Sequence, residues 1–415
     1  MKAIRRFGTA LAVFVLLLGG GCAKDASSGG IQKPGIPEFT IPENVLGAPS
    51  AMVPAEVSVD SYPVPAGEGV EFVKNLKLGW NLGNTFDAYD VGGLSDEMKY
   101  ESAWCGAVTK IENIAAIKAA GFQTVRIPVS WHNHVDADNR ISEQWMARVR
   151  EVVDWCRACD LYVIVNTHHD VGSKGYFPDT ENLERSKQYL GAVWQQMAEA
   201  FRDYDEHLIL ESLNEPRLAG SRYEWWLDRN SPECQDAVRC INELNQLFVD
   251  TVRASGGSNA TRYLLCPGYA ASADGALNEH FTVPQDAASR VIVSVHAYTP
   301  YDFALNAAGT KDFSLENNSD TGQITSFMDE LYARFVMNGT PVLIGEFGAR
   351  NKDNLEARVQ FSAYYVAAAR ARGMSCCWWD NNAFLGTGEN FGLLARGDSI
   401  FMYPEIVQAL VKYCG

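Results

Sequence analysis

A chain of 415 residues, 47% hydrophobic and 21% charged, has material for one large α/β domain or two ordinary ones. Its formal net charge of −16 argues against nucleic acid or anionic membrane as the main partner, because phosphate binding needs basic patches. A neutral partner fits, and 11% aromatics with ten Trp supply stacking faces.

The chain opens as an export signal. Lys2, Arg5 and Arg6 make a positive start, Leu11 to Leu18 an apolar run, and Gly19-Gly20-Gly21-Cys22 a small-residue exit. The run falls short of the ~20 residues that span a bilayer. Cys22 after small residues resembles a bacterial lipoprotein processing site, with the lipid on Cys22, although Gly19 stands where such sites usually carry Leu. Ordinary cleavage without lipid is the alternative. The expectation is an exported protein: a cell-surface or outer-membrane lipoprotein of a bacterium, otherwise a secreted one. Its only membrane contact would be the lipid. Loss of residues 1–21 removes three positive charges, and −16 becomes −19.

Beyond Cys22 nine cysteines remain, an odd number that leaves at least one unpaired. Cys156-Arg-Ala-Cys159 sits inside an apolar-periodic helix with no second CxxC, and reads as two buried thiols rather than a zinc or redox site. A Cys234–Cys240 bridge suits an oxidising compartment, and the sequence leaves it open. Residues 22–66 are rich in Pro, Gly and Ser without a helical or strand period, which predicts a tether. Within it, Val57–Val59 is expected to dock as a short strand.

Residues 67–415 then alternate. Eight apolar runs, at 76–83, 122–131, 161–169, 208–215, 262–269, 291–298, 341–347 and 374–381, are apolar throughout, as strands covered on both faces are. Between most of them lie amphipathic helix patterns at 111–120, 142–159, 183–203, 235–255, 322–338, 354–372 and 404–413. Eight such repeats predict a (β/α)8 TIM barrel, a single α/β catalytic domain. A doubly wound sheet is the alternative, but "GWNLGNTFDA" (79–88) lacks the GxGxxG spacing that a phosphate loop would carry after the first strand.

The strand runs end in polar or aromatic residues: Asn84 and Asp87; Arg126 and Trp131; Asn166, His168, His169 and Asp170; Asn214 and Glu215; His296 and Tyr298; Glu346; Trp378, Trp379 and Asp380. In a barrel these ends share one rim, where active sites of this fold lie. Glu215 and Glu346 close the fourth and seventh runs. Two carboxyls about 5 Å apart, one protonated and one ionised, are the equipment of retaining glycoside hydrolysis. Arg126, His296 and Tyr298 as neighbours would keep Glu346 ionised as nucleophile, and Pro216 would restrain Glu215 as acid/base.

"GWNLGNTFDA", "VRIPVSW", "VNTHHD", "ILESLNEPR", "VHAYTPYDF" and "LIGEFGA" together resemble glycoside hydrolase family 5, most closely its subfamily 4 of endo-β-1,4-glucanases. The similarity covers about residues 70–412. It implies double displacement with net retention and no metal or other cofactor. Glu215 would be acid/base and Glu346 nucleophile. Asn214 would hold the sugar 2-hydroxyl, Arg126, His296 and Tyr298 would frame the nucleophile, and His168 would bind the sugar in the cleaved subsite. Trp378 would be the stacking platform there, with Trp379 as alternative and a cis Trp378–Trp379 bond expected. His169 and Asn84 join the expected substrate-binding residues. Trp131, Trp225 and Trp226 either line sugar subsites or pack beneath loops. Cys105 and Asn382 depart from the family pattern, Asn382 standing where Gly is usual.

Metal binding by "THHD" is not expected, since adjacent His168 and His169 on a strand point to opposite faces. The partner expected is a β-1,4-glucan of cellulose, xyloglucan or mixed-linkage type, acted on by a monomer. Xylan and mannan remain possible substrates for such a chain. A non-catalytic surface glycan-binding lipoprotein is the rival from another class.

Overall fold

Parallel strands buried on both faces need helices outside and one another inside. The structure, a computed structural model, describes residues 35–415. The export signal over 1–21, Cys22 and residues 23–34 lie outside the described residues. Eight strands close in chain order into a parallel barrel: β1 (Leu78–Leu82), β2 (Thr124–Ile127), β3 (Tyr162–Asn166), β4 (Leu208–Glu211), β5 (Leu264–Pro267), β6 (Val291–His296), β7 (Val342–Phe347) and β8 (Ser375–Asp380). The (β/α)8 barrel read from the sequence is the fold observed.

The helices are α1 (Glu68–Leu76), α2 (Ile111–Ala120), α3 (Glu143–Ala158), α4 (Leu183–Ala200), α5 (Pro232–Ala254), α6 (Asn318–Arg334), α7 (Leu355–Ala371) and α8 (Pro404–Cys414), with shorter turns between some of them. Local chemistry sets their ends: the Ser142 hydroxyl caps α3 at the Trp145 N–H, and Gly121 at φ 104° stops α2. The step from β5 to β6 carries only the short turns Tyr269–Ala271 and Ala273–Ala276. Helix α1 was not foreseen, because its nine residues adjoin the Pro-rich segment. It plugs the barrel base: Phe72, Val73 and Leu76 join Ile164, Ile209, Leu265, Ile292, Leu343 and Cys377 in the interior core. Phe72 stacks on Tyr263 with centroids 3.8 Å apart.

Side chains alternate along a strand, so one parity faces the barrel interior. Along β4 it runs Ile209 then Glu211, along β6 Ile292, Ser294, His296, and along β8 Cys377 then Trp379. The interior thus changes from apolar at the base to polar at the rim. In β7 the register passes from Val295↔Ile344 to His296↔Glu346, skipping Gly345. Strict alternation would send Glu346 outward; this bulge turns it toward His296. A Cβ at Gly345 would stand only 3.2 Å from His296 Nε2.

Residues 36–66 correct the tether expectation, because they belong to the same compact unit as the barrel. Val45, Leu46, Val53, Val57, Val59, Tyr62 and Val64 lie half-buried against the core between the prolines. Val57–Val59 docks without pairing as a strand. On α8, Gln408 Nε2 donates to the Leu46 (3.0 Å) and Ala48 (2.9 Å) carbonyls, and its Oε1 accepts from Ser50 N (2.8 Å). Lys412 and Tyr413 donate to Pro54 O, and Tyr332 to Pro63 O. A proline-rich segment with scattered apolar residues is a strap here.

All nine described cysteines are free, Cys234 and Cys240 included, and Cys156 and Cys159 are buried thiols. Burial lifts the Cys159 thiol to about 11. No helix among the described residues is long and apolar enough to cross a membrane. Replacing Gln408 with Leu removes three strap hydrogen bonds, and should lower stability to denaturant by about 1–3 kcal/mol. Turnover at 25 °C should stay unchanged, since α8 lies on the outer face.

Candidate active site

Above the apolar interior sits a charged layer centred on Arg126, which is wholly buried. Its guanidinium uses every side: Nε donates to Glu211 Oε2 (2.7 Å), Nη1 to Asn81 Oδ1 (2.9 Å) and Glu346 Oε1 (2.7 Å), and Nη2 to Asn214 Oδ1 (2.8 Å). Glu211 Oε1 also accepts from the Ser294 hydroxyl (2.6 Å), and its Oε2 from Asn166 Nδ2 (3.1 Å). Burial works against the Arg126 cation, but Glu211 and Glu346 outweigh it and raise its pKa. One cation between two buried carboxylates, with the remaining polar atoms hydrogen-bonded, is a satisfied network.

Glu346 projects from this layer into the rim. Besides Arg126, it accepts from the Tyr298 hydroxyl on Oε2 (3.0 Å). His296 Nδ1 lies 2.9 Å from Glu215 Oε1 and 3.7 Å from Glu346 Oε1. Glu215, His296 and Glu346 bring one polar atom each within 4.8 Å of one another. Arg217 Nη1 approaches Glu215 Oε2 at 3.9 Å and donates to the Glu215 carbonyl at 2.9 Å.

The two carboxyls are pushed in opposite directions. Burial raises Glu215, but the His296 hydrogen bond and the charges of His296 and Arg217 outweigh it, and Glu215 ends below its ordinary range. Burial also raises Glu346, and His296 and Arg126 do not cancel that rise, to which Glu215 adds. Burial and Glu346 carry the Tyr298 hydroxyl well above its usual range, which keeps it a donor at neutral pH. Burial, with His169 beside it, lowers His168 well below its usual range, and burial brings His169 to about 4. Both rings are neutral at pH 7.

A cleft of about 1040 Å³ opens over the two carboxylates. Asn84, Asn214, His168, His169, His296 and Tyr298 all line it, as read from the sequence. The two expectations for Trp378 and the one for Trp131 are corrected. Trp378 does not reach the cleft: it is fully buried, packs edge-on to Phe347 on the outer side of the barrel and donates Nε1 to Phe391 O (2.9 Å). Trp379 has the inward parity and lines the cleft, its ring parallel to His168 at 5.8 Å. Gly83 makes room for it, since a Cβ there would meet the Trp379 ring at 2.7 Å. The Trp378–Trp379 bond is trans; among the described residues the cis bond is Thr299–Pro300. Trp131 does not reach the cleft either. It is fully buried, with Nε1 donating to Asn166 O (2.9 Å) and its backbone N–H to Asp170 (2.9 Å). Trp225 and Trp226, left open between subsite and packing, line the cleft and are 51% and 69% exposed.

The model of the family described as "Cellulase (glycosyl hydrolase family 5)" matches residues 87–385. The chain belongs to glycosyl hydrolase family 5. It is similar to endoglucanase A of Clostridium longisporum, 41% identical over 346 residues, which cover 82% of this chain and 65% of that protein. The chain therefore spans just under two thirds of that relative's length. A family-5 lichenase from Caldicellulosiruptor sp. F32, solved with cellotetraose, is 51% identical with a TM-score of 0.86, covering 88% of this chain and 99% of that one. A subfamily-4 broad-specificity endoglucanase from Ruminococcus champanellensis, solved with cellotriose, is 41% identical with a TM-score of 0.77, covering 84% and 100%.

The family-5 barrel also corrects the reading of "THHD". Strand β3 ends at Asn166, so alternation does not extend to the two histidines, and their rings meet edge-on at 4.4 Å. Asp87, His168 and His169 bring donor atoms within 4.8 Å of one another. Both Asp87 oxygens already accept backbone N–H groups, from Asn84 (3.0 Å) and Thr85 (2.6 Å), and burial lifts this carboxyl to about 7. A cation bound by Glu215, His296 and Glu346 would sit against the Arg126 guanidinium. In the first cluster both Asp87 oxygens are taken, and in the second both Glu346 oxygens are held by Arg126 and Tyr298.

Sequence reasoning missed Asn81, Glu211 and Ser294, which read as interruptions of apolar runs. The signal for Glu211 was its parity with Ile209. It also missed Arg217, Tyr89, Trp104, Tyr301 and Glu389 in the cleft wall. The two departures from the family pattern touch each other: Asn382 Nδ2 donates to Cys105 O at 2.8 Å. Asn382 has φ 56°, a left-handed conformation open to Asn as to Gly. Replacing Arg217 with Gln removes a charge that holds Glu215 down, so the Glu215 carboxyl should titrate at higher pH. Carbon NMR of that carboxyl reads the midpoint, and an unchanged or lower value would contradict the assignment.

Proposed function

We propose that this family-5 chain is an endo-acting retaining β-glucanase that hydrolyses internal β-1,4 bonds of plant glucans. One observation carries the reading. Two carboxylates within retaining distance face an open, aromatic-walled cleft, and one of them is gripped by Arg126 and Tyr298.

Two carboxyls this close share a proton, because each ionised group opposes the other's ionisation. In the open cleft the two directions put that proton on Glu346. A seated glycan excludes water and brings its glycosidic oxygen to Glu215, while Arg126 and Tyr298 hold the Glu346 anion through both oxygens, and the proton passes to Glu215. Glu346 attacks the anomeric carbon while Glu215 passes its proton to the glycosidic oxygen, and the bond to the leaving sugar breaks. The glycosyl ester removes the Glu346 charge, which lowers Glu215 and suits it to act as base. Water then adds to the anomeric carbon, its proton going to Glu215, and the ester bond breaks with net retention. Asn214, fixed by Arg126, is placed to meet the 2-hydroxyl, and Trp379 stacks on the ring being cleaved. Relatives with the names endoglucanase and lichenase, and bound cello-oligosaccharides in two similar structures, support a β-glucan substrate. Among cellulose-type, xyloglucan and mixed-linkage chains, the loops around the cleft decide. The intact carboxylate network speaks against a purely glycan-binding role. The chain acts outside the cytoplasm, held by a lipid on Cys22.

Glu346→Ala should lower hydrolysis of soluble β-glucan by roughly four orders of magnitude while binding persists. Glu215→Ala should keep hydrolysing aryl glycosides with good leaving groups and be rescued by azide. Cleavage by Glu346→Ala at the wild-type rate would refute the mechanism. In an exporting bacterial host, Cys22→Ala should abolish palmitate labelling and move the protein from the membrane fraction to the soluble one. Persistent labelling would rule out Cys22 as the anchor.

A further inference from the structure

Outside the cleft, one face of α7 carries polar groups that the fold leaves incomplete. Arg358 and Ser362 stand one turn apart on that face, and both are wholly buried. Arg358 Nε donates to the Ala349 carbonyl at 3.0 Å, three residues beyond Glu346. Its Nη1 and Nη2 and the Ser362 hydroxyl have no hydrogen-bond partner among the described residues. Another wholly buried guanidinium shows what completion looks like: Arg262 donates to Asn259 Oδ1 and to the carbonyls of Asp205, Leu208, Phe201 and Tyr204. The incomplete face follows α8. Arg358 lies over Tyr403 at the start of that helix, and Arg370, further along the same face, donates to Cys414 O in its last turn.

The charge is as poorly matched as the donors. Arg358 stands near the start of α7, where the positive end of a helix disfavours a cation. Helix α8 brings a second positive end to Tyr403, and neither helix start has a side-chain cap. Burial lowers the Arg358 pKa and Tyr403 raises it, which leaves it at about 10, so the group is a cation at neutral pH. No carboxylate is among the groups that act on it. The Tyr403 ring, 4.7 Å from the guanidinium carbon, offers its face. Its hydroxyl is engaged elsewhere, accepting from Asn351 Nδ2 (3.1 Å) and donating to Phe384 O (3.3 Å). A buried cation with unpaired donors is costly. A water molecule would take the hydrogen bonds and leave the charge, whereas an anion answers both.

We infer that Arg358 Nη1 and Nη2 and Ser362 Oγ form a binding site for a small monovalent anion of the halide class, chloride or bromide, in the seam between α7 and α8. Complete burial of both side chains favours a monatomic ion over phosphate or sulfate. The bound anion would fix the guanidinium and, through Nε, the Ala349 carbonyl. It therefore steadies the segment just past Glu346 from outside the barrel. Neither residue lines the cleft, and the site is independent of which glycan is cleaved.

The test exchanges anions around the full chain. Replacing sodium gluconate by sodium chloride at constant ionic strength should raise the thermal midpoint of the wild type by about 2–4 °C and then saturate. Arg358→Met should abolish that rise, and Ser362→Ala should increase the chloride concentration needed about tenfold. Crystals grown in gluconate and soaked in sodium bromide should show an anomalous peak beside Arg358 and Ser362. The bromide map needs no variant, so a misfolded Arg358→Met would leave the inference open to refutation. A water molecule at that position, or bromide bound only elsewhere, would overturn it. An equal chloride response in wild type and Arg358→Met would do the same.

Discussion

A single guanidinium holds the rim of this barrel together. Arg126 projects from β2 into an interior that elsewhere is closed by Ile, Leu and Cys side chains, and it is buried there beyond reach of solvent. Such a charge is tolerated only when its partners are supplied at hydrogen-bond distance, and breaking a buried pair typically costs about 3–5 kcal/mol. Glu211 neutralises it from below and Glu346 from the rim, while Asn81 and Asn214 take its remaining donors. The position of Glu346 is therefore set by the charge balance of the barrel centre rather than by a mobile loop. The Gly345 bulge serves the same end, because without the skipped residue Glu346 would point into the helical layer.

That constraint separates the parts of the site held by the barrel from those carried beyond it. Glu346, Tyr298, Asn214 and His296 all sit on strand ends or directly beyond them, fixed by one network. The aromatic walls sit on loops, where insertions and substitutions cost little. Cys105 and Asn382 show how a substitution in a loop can still be bound into the scaffold. Asn382 keeps the left-handed backbone and ties the loop bearing Trp104 to the segment after β8. On the proposed function, substrate preference belongs to these walls and the chemistry to the barrel.

Much of this was legible in the sequence. Apolar runs buried on both faces gave away the strands, and a carboxylate ending two of them marked the pair that the rim brings together. The parts that were not legible share a physical cause. Glu211 hides because an inward residue on a central strand is apolar in most proteins, and only its charged partner on β2 justifies it. The adjacent Trp378 and Trp379 cannot be told apart without the register of β8, which depends on Cys377 facing inward and on the space left by Gly83. Trp131 looked like a rim residue because the apolar run continues past Ile127, where the chain has already left the strand. Residues 36–66 looked like a linker because proline obscures a pattern of apolar contacts that only α8 and its neighbours complete.

The central claim is that Glu346 forms a covalent bond to the substrate. The most direct measurement is labelling with a 2-fluoro β-cellobioside carrying an activated leaving group, followed by peptide mass spectrometry. The account predicts one fluoroglycosyl adduct per active site, located on Glu346, and a first-formed product that keeps the β configuration by proton NMR. An adduct on Glu215, or a first-formed product of α configuration, would contradict it.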